Sequence, residues 1–174
     1  MVHLAEQFMS NYPRGQLGIF VDIESFLRDS GVWFRFLDKP ETVHTADASR
    51  TTGIDLNRIT KNLVCKTSDG RYALLVIPGD RRVNLQRAAQ ALNTRNVQLL
   101  NFREAEEVSG YPPGGTPSVC HKTRLEVVID KPVLANETLF CGGGTRTRLL
   151  ELRTEDVLRL SEAISADISS ITDV

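Results

Sequence analysis

The chain predicts a single α+β domain built on a mixed β-sheet, and three observations lead there. An Asp69-Gly70 step separates two apolar runs, 63–66 and 72–77, and Asp-Gly between apolar runs is a strong hairpin signal. Strand-like runs alternate with helix-like stretches without a regular strand-helix-strand period, which favours a mixed sheet over a purely parallel one. At 174 residues the chain is long enough to bury one full core.

Each element has its own signal. Residues 3–11 predict a short helix, with Leu4 and Phe8 four apart, until Pro13, Gly15 and Gly18 end the pattern. A second helix is expected over 22–30, where Asp22 suits the N-cap, Ile23, Phe26 and Leu27 share a face, and Gly31 stands at the stop position. Aromatic and branched residues make 32–37 a strand. Thr45 and Asp47 suit the cap of a short helix to about Thr51, and Asp55 suits the cap of another carrying Leu56 and Ile59 toward Lys61. Lys61 then sits where a helix hands over to the hairpin.

Beyond Pro78-Gly79-Asp80, Asn84 suits the cap of a helix with Leu85, Ala88, Ala89 and Leu92 on one side. Residues 97–100 read as a strand and 102–109 as a helix whose Glu104, Glu106 and Glu107 form a solvated face. Three more strands are expected over 125–130, 137–141 and 147–152, then a helix capped by Thr154 with Glu155 and Asp156 at its positive end. The domain organisation expected is an extension over 1–19, the folded domain over 20–163, and a small, polar tail over 164–174 that frays.

Composition narrows the function. Hydrophobic residues make up 41% and charged residues 25%, ordinary values for a soluble globular protein, and no apolar run reaches membrane-spanning length. The N-terminus lacks the basic region and apolar core of a secretory signal, so a cytoplasmic location is expected, with no membrane partner. A net charge of −1 argues against coating duplex nucleic acid, though not against gripping one end of it. The three cysteines, Cys65, Cys120 and Cys141, lack paired short spacing, which disfavours a disulfide framework or zinc knuckle. Cys120, His121 and Cys141 would form a metal set only if the fold converged them, and no metal or cofactor is expected.

Two glycine-rich segments stand out. The run 110–121 holds three prolines and three glycines within eight residues, so it continues neither a helix nor a central strand. It is a shaped loop, either aiming backbone groups at a ligand or joining two core elements rigidly. Gly142-Gly143-Gly144 after a strand invites a phosphate-loop reading but has neither the Gly-Lys-Ser/Thr ending nor the Gly-x-Gly-x-x-Gly helix entry. A tight sheet corner is the alternative. Lys61 is either a surface charge or one aimed into a cleft, and His44 and Thr45 nearby offer a base and a hydroxyl without a local nucleophile.

The order of these pieces is more specific than any one of them. Ile59-Thr60-Lys61-Asn62-Leu63-Val64, then Val76-Ile77-Pro78-Gly79-Asp80-Arg81-Arg82-Val83, then Gly110-Tyr111-Pro112-Pro113-Gly114-Gly115, then Gly142-Gly143-Gly144 resembles the YbaK family, related to the editing domain of bacterial prolyl-tRNA synthetase. The resemblance covers roughly 20–163 and implies a mixed, barrel-like β-sheet surrounded by helices.

It also implies a metal-independent aminoacyl-tRNA deacylase. The substrate would be a small amino acid such as alanine or cysteine on tRNA(Pro) or a related tRNA, gripped at its 3′ end, with an aminoacyl-tRNA synthetase as a further partner. Lys61 takes the place of the family's lysine and would hold the terminal adenosine or phosphate. Gly114, Gly115, Thr116, Pro117 and Ser118 take the place of the loop that holds the aminoacyl group and positions water. The implied site has Lys61 and Gly115 as catalytic residues and His44, Thr45, Gly114, Thr116, Pro117, Ser118, His121, Gly143, Gly144 and Thr145 around the substrate. Such an ester is already activated, so an ordered water and a stabilised oxyanion suffice.

The loop departs from its relatives at Ser118, in place of a proline, and Cys120, in place of a glycine. Thr145 stands where many relatives carry histidine or another polar or basic residue after the glycine run. These departures keep open an alternative, a non-catalytic module that binds an aminoacyl- or nucleotide-like ligand. Around the loops lie Lys61, Arg81, Arg82, Lys122, Arg124, Arg146 and Arg148, enough for a salt-dependent grip on a few phosphates.

Overall fold

The computed structural model describes residues 22–171. The helix expected over 3–11 lies outside the described residues. The elements are α1 (Ile23–Ser30), β1 (Phe34–Asp38), α2 (Thr45–Thr52), a 3-10 turn (Leu56–Arg58), β2 (Thr60–Thr67), β3 (Tyr72–Pro78), β4 (Arg81–Val83), α3 (Leu85–Ala91) and β5 (Val97–Leu99). They continue with α4 (Phe102–Ser109), β6 (Glu126–Asp130), a second 3-10 turn (Lys131–Ala135), β7 (Thr138–Gly142), β8 (Arg148–Arg153), α5 (Thr154–Ser161), β9 (Ile164–Ala166) and β10 (Ser169–Ile171).

The Asp-Gly hairpin forms with Gly70 at φ 92°, and β2 pairs antiparallel with β3 from Lys66↔Tyr72 to Thr60↔Pro78. A five-stranded sheet grows from it in the order β5-β2-β3-β6-β9, with β6 parallel to both β3 and β9. The sheet is therefore mixed. A second, antiparallel sheet has the order β1-β8-β7, and β10 pairs with β4.

Strand β3 shows why the sheet is central. Its side chains alternate, so Leu74 and Val76 join a cluster with Ile23, Leu27, Leu139, Leu150, Leu152 and Val157, while Ala73, Leu75 and Ile77 join Ala88, Ala89, Leu92 and Ile168. Both faces are covered, which explains the unbroken apolar run. A fully buried leucine such as Leu74 contributes about 2–3 kcal/mol relative to an exposed one. A smaller cluster of Ala48, Ile59, Phe140 and Leu149 joins α2 to the three-stranded sheet.

Local caps follow the sequence in part. Asp22 and Asn84 each accept a first-turn amide as expected, Gly31 ends α1 in the left-handed region, and Asn101 caps α4 without having been expected to. Thr154 does not cap α5. Its hydroxyl instead donates to the Asn136 carbonyl at 2.6 Å, because burial beside β7 offers it a backbone acceptor. Neither Thr45 nor Asp47 caps α2, whose N-cap is His44, and the helix expected from Asp55 toward Lys61 is only the turn Leu56–Arg58. Lys61 is the second residue of β2.

The frayed tail is overturned for 164–171. Residues Ile164–Ala166 extend the main sheet beside β6, Ile168 is fully buried, and Ser169–Ile171 pairs with β4. The anchor is Asp130, whose carboxylate accepts the Ile168 amide at 2.9 Å and the Ser169 hydroxyl. Residue composition alone gave no sign of this long-range partner.

Candidate active site

Two loops from distant parts of the chain meet backbone to backbone. The Gly144 amide donates to the Gly115 carbonyl at 2.9 Å, and a Cβ on Gly142 would overlap the Gly115 carbonyl carbon. A Cβ on Gly114 would lie 2.7 Å from the Thr42 carbonyl oxygen, so the segment before α2 closes against the same loop. The glycines allow three chain segments to approach where side chains could not fit.

These segments and β2 enclose a cleft of ≈ 460 Å³. Lys61, His44, Thr45, Gly114 and Thr116 all line it, so one hollow gathers residues from three parts of the sequence. Gly115, Pro117, Ser118, His121, Gly143, Gly144 and Thr145 stand outside its lining. Gly115, Pro117, Ser118 and Gly143 are buried, His121 and Gly144 half-buried, and Thr145 is exposed.

Lys61 reaches its position from β2, and its ammonium donates to the Arg81 carbonyl at 2.6 Å. That bond uses one of three ammonium hydrogens. Burial lowers its pKa from the usual lysine value, opposed by the Asp80 carboxylate and reinforced by Arg82. A lysine in this setting is a partly dehydrated charge on a cleft wall.

The Gly/Pro loop is tightly wired. Ser118 donates to the Asn62 side-chain oxygen at 2.7 Å, and Asn62 donates to the Thr60 hydroxyl at 3.1 Å. The loop is thus tied to the strand that carries Lys61. His121 bonds the Pro117 carbonyl through Nε2 at 2.8 Å and meets Tyr111 edge-on at 6.2 Å between ring centres. Burial pushes the His121 imidazole down to about 4, so at neutral pH it is an uncharged donor that pins the loop. Cys120 takes φ 63°, the left-handed backbone for which glycine is the usual residue.

The glycine run is a corner. Gly143 donates its amide to the Arg148 carbonyl at 3.1 Å and Gly144 to Gly115, so both amides are committed inside the protein. Gly115 likewise donates to the Pro112 carbonyl at 2.8 Å. Two arginines expected near phosphates brace these loops instead: Arg146 Nε donates to the Pro113 carbonyl at 2.8 Å and Arg148 Nε to the Gly143 carbonyl at 2.6 Å.

Sequence reading missed several cleft residues. Lys39 is buried, and its ammonium donates to the Thr42 hydroxyl at 2.6 Å and to the Arg146 carbonyl, stitching the segment before α2 to the glycine corner. Burial lowers its pKa as well. Asn62, Tyr111, Gly142 and Phe102 also line the cleft. Asn62, Tyr111 and Gly142 lie within the motif runs named above but were given no role there, whereas Lys39 and Phe102 carried no local signal. Cys120, His121 and Cys141 form no metal set, since no group of three His, Cys, Asp or Glu suited to a metal occurs among the described residues.

A family model described as "Aminoacyl-tRNA editing domain" matches residues 39–160. The chain belongs to that family. An Enterococcus faecalis protein provisionally described as Cys-tRNA(Pro)/Cys-tRNA(Cys) deacylase EbsC is 23% identical over 137 residues, covering 79% of this chain and 84% of that protein. A proline–tRNA ligase of Methylobacillus flagellatus is 26% identical over 145 residues, 81% of this chain but 23% of the ligase.

Solved structures agree. A hypothetical protein, APE2540, superposes with a TM-score of 0.80 at 29% identity, covering 85% of this chain and 99% of its own. A structure provisionally described as a trans-editing enzyme for prolyl tRNA synthetase gives 0.76 at 25% identity, covering 85% and 94%. The matched span starts at Lys39 and contains every cleft residue named above. The mixed α+β fold implied by the sequence is that of this editing domain. Among the described residues no helix is long and apolar enough to cross a membrane.

Proposed function

We propose that this protein is a deacylase acting in trans, hydrolysing the ester between a wrong amino acid and the 3′ end of a tRNA in the cytoplasm. The observation that carries the reading is the shared cleft: Lys61 from β2, Gly114 and Thr116 from the Gly/Pro loop, and His44 and Thr45 from the start of α2 line one hollow. Its ≈ 460 Å³ accommodates an amino acid joined to a ribose.

In this mechanism Lys61 holds the negative charge of the terminal nucleotide or of the ester oxygen as it develops. Gly114 and Thr116 form the wall against which the aminoacyl group and the attacking water are placed, and Gly115, bonded to Pro112 and Gly144, keeps that wall in register. Pro117, Ser118 and His121 fix the loop. The N-cap residue His44 makes no side-chain bond to the first turn of α2, so its imidazole is available to substrate. Water adds to the ester carbonyl, the tetrahedral oxyanion is stabilised, and the ribose hydroxyl leaves with a proton.

The relative described as a Cys-tRNA(Pro)/Cys-tRNA(Cys) deacylase, and the proline–tRNA ligases, support cysteine on tRNA(Pro) as the substrate. The experiment is a panel of mischarged tRNAs incubated with wild-type protein and Lys61→Ala. Ester loss on one of them, abolished by the substitution, supports the reading. Failure on every substrate overturns it, and binding of an aminoacyl-adenosine analogue without turnover would establish the non-catalytic alternative.

A further inference from the structure

The cleft extends beyond the ester-binding residues to an aromatic lip. Phe102 is 60% exposed, against 3% for Tyr111 in the same lining, and its chain neighbours Leu99, Leu100 and Ala105 line the cleft with it. An exposed phenylalanine alone means little, but this one is held in place. Asn101 caps α4 by accepting the Glu104 amide at 2.9 Å, which fixes Phe102 as the first helical residue. The Leu100 amide donates to the Val64 carbonyl at 3.0 Å, tying the segment just before Phe102 to β2.

That bond sets a length. Val64 is three residues along β2 from Lys61, and both line the cleft. Three residues of extended strand span about 10 Å. The segment leading to Phe102 is thus anchored about one nucleoside's length along β2 from the Lys61 backbone, and a base carried by a ribose ester at Lys61 and Thr116 has the Phe102 ring within the same cleft lining. Glu104, Glu106 and Glu107 on the same helix do not line the cleft. What α4 offers to a bound nucleotide is therefore an uncharged ring and the small Ala105.

Resting on the proposed deacylase reading, we infer that Phe102 is the stacking platform for the unpaired 3′-terminal base of the tRNA, a specificity-determining contact for nucleic acid over free aminoacyl esters. Unpaired bases are commonly held this way, because every base presents a π-face to an aromatic side chain.

The test compares wild type, Phe102→Ala, Phe102→Leu and Phe102→Trp on the aminoacyl-tRNA that wild type cleaves. Stacking predicts that Ala and Leu raise KM about 5- to 100-fold with kcat within twofold, while Trp keeps KM near wild type. An unchanged KM in Phe102→Ala, or a Leu variant equal to wild type, overturns the inference, since leucine retains apolar packing without a ring. A second measurement stands apart from catalysis: titration with the trinucleotide CCA. Weakened binding by the Ala and Leu variants alone supports the platform even if no aminoacyl-tRNA is cleaved, in which case only the deacylase reading fails. Equal binding by wild type and Phe102→Ala, or none by wild type, overturns it.

Discussion

The Gly144 amide and the Gly115 carbonyl, 2.9 Å apart, join two loops that lie 29 positions apart in the chain. Beside that bond Gly142 leaves no room for a side chain, since a Cβ there would also lie 2.5 Å from the Thr116 nitrogen. Because backbone atoms, not flexible side-chain ends, fill the space, one loop must move to admit a methyl group.

Gly142→Ala is therefore expected to lose about 1–3 kcal/mol or more in urea melts and to abolish deacylation. Gly115→Ala, whose Cβ would meet the Thr145 backbone at 3.0–3.1 Å, should be milder in stability. Equal melting midpoints for Gly142→Ala and wild type would contradict the packing described.

Lys61 gives a pH signature. Burial lowers its folded pKa below 10.5, so deacylation that needs the ammonium should decline as pH rises through that lowered value, before free lysine titrates. Lys61→Arg should shift the decline upward, and Lys61→Ala should reduce kcat by about 10²–10³-fold. For stability the sign is opposite to that of a paired lysine. Between the folded pKa and 10.5 the unfolded chain binds the extra proton, so Lys61's contribution to native stability rises with pH across that window. Spontaneous ester loss measured without enzyme must be subtracted at each pH.

His121 gives an acid signature. Its folded pKa near 4 lies below the usual 6.5, so as pH falls through that window the unfolded state takes up the proton first and stability drops. The full shift corresponds to about 3 kcal/mol, and the part of the ring that solvent reaches lowers this figure. Urea melts of wild type and His121→Asn at pH 7 and pH 4.5 should show the wild type losing more on acidification. Parallel losses would remove His121 as the cause.

Asp130 predicts how the C-terminal strands are held. Asp130→Ala strands the buried Ile168 amide and the Ser169 hydroxyl, an expected cost of about 1–3 kcal/mol. Hydrogen exchange should speed up selectively over 164–171, while the amides of β3 keep their protection relative to global stability.

Much of the fold was legible because its signals are local. Asp69-Gly70 fixes a turn through backbone sterics, Asp22 and Asn84 cap helices three residues away, and the apolar run of β3 needs burial on both faces whatever covers it. Lys61 and the Gly/Pro loop were legible through motif order, and both reach the cleft wall. Thr154 misled because a side chain that suits a cap can as readily satisfy a distant carbonyl. The tail misled because its strands depend on Asp130 and β4, partners that no window of neighbouring residues contains.

The sequence by itself determined the element types, the hairpin at the centre of the sheet, and the family to which the order of motifs belongs. Tertiary structure alone decided which groups meet: that the Gly143, Gly144 and Gly115 amides are spent on backbone carbonyls within the protein, that Lys39 and Asn62 stand with Lys61, and that Phe102 lies on the same cleft. The physical reason is range. Turns, caps and alternation act over a few residues of chain, whereas close backbone approach and shared burial arise only when distant segments compete for one volume.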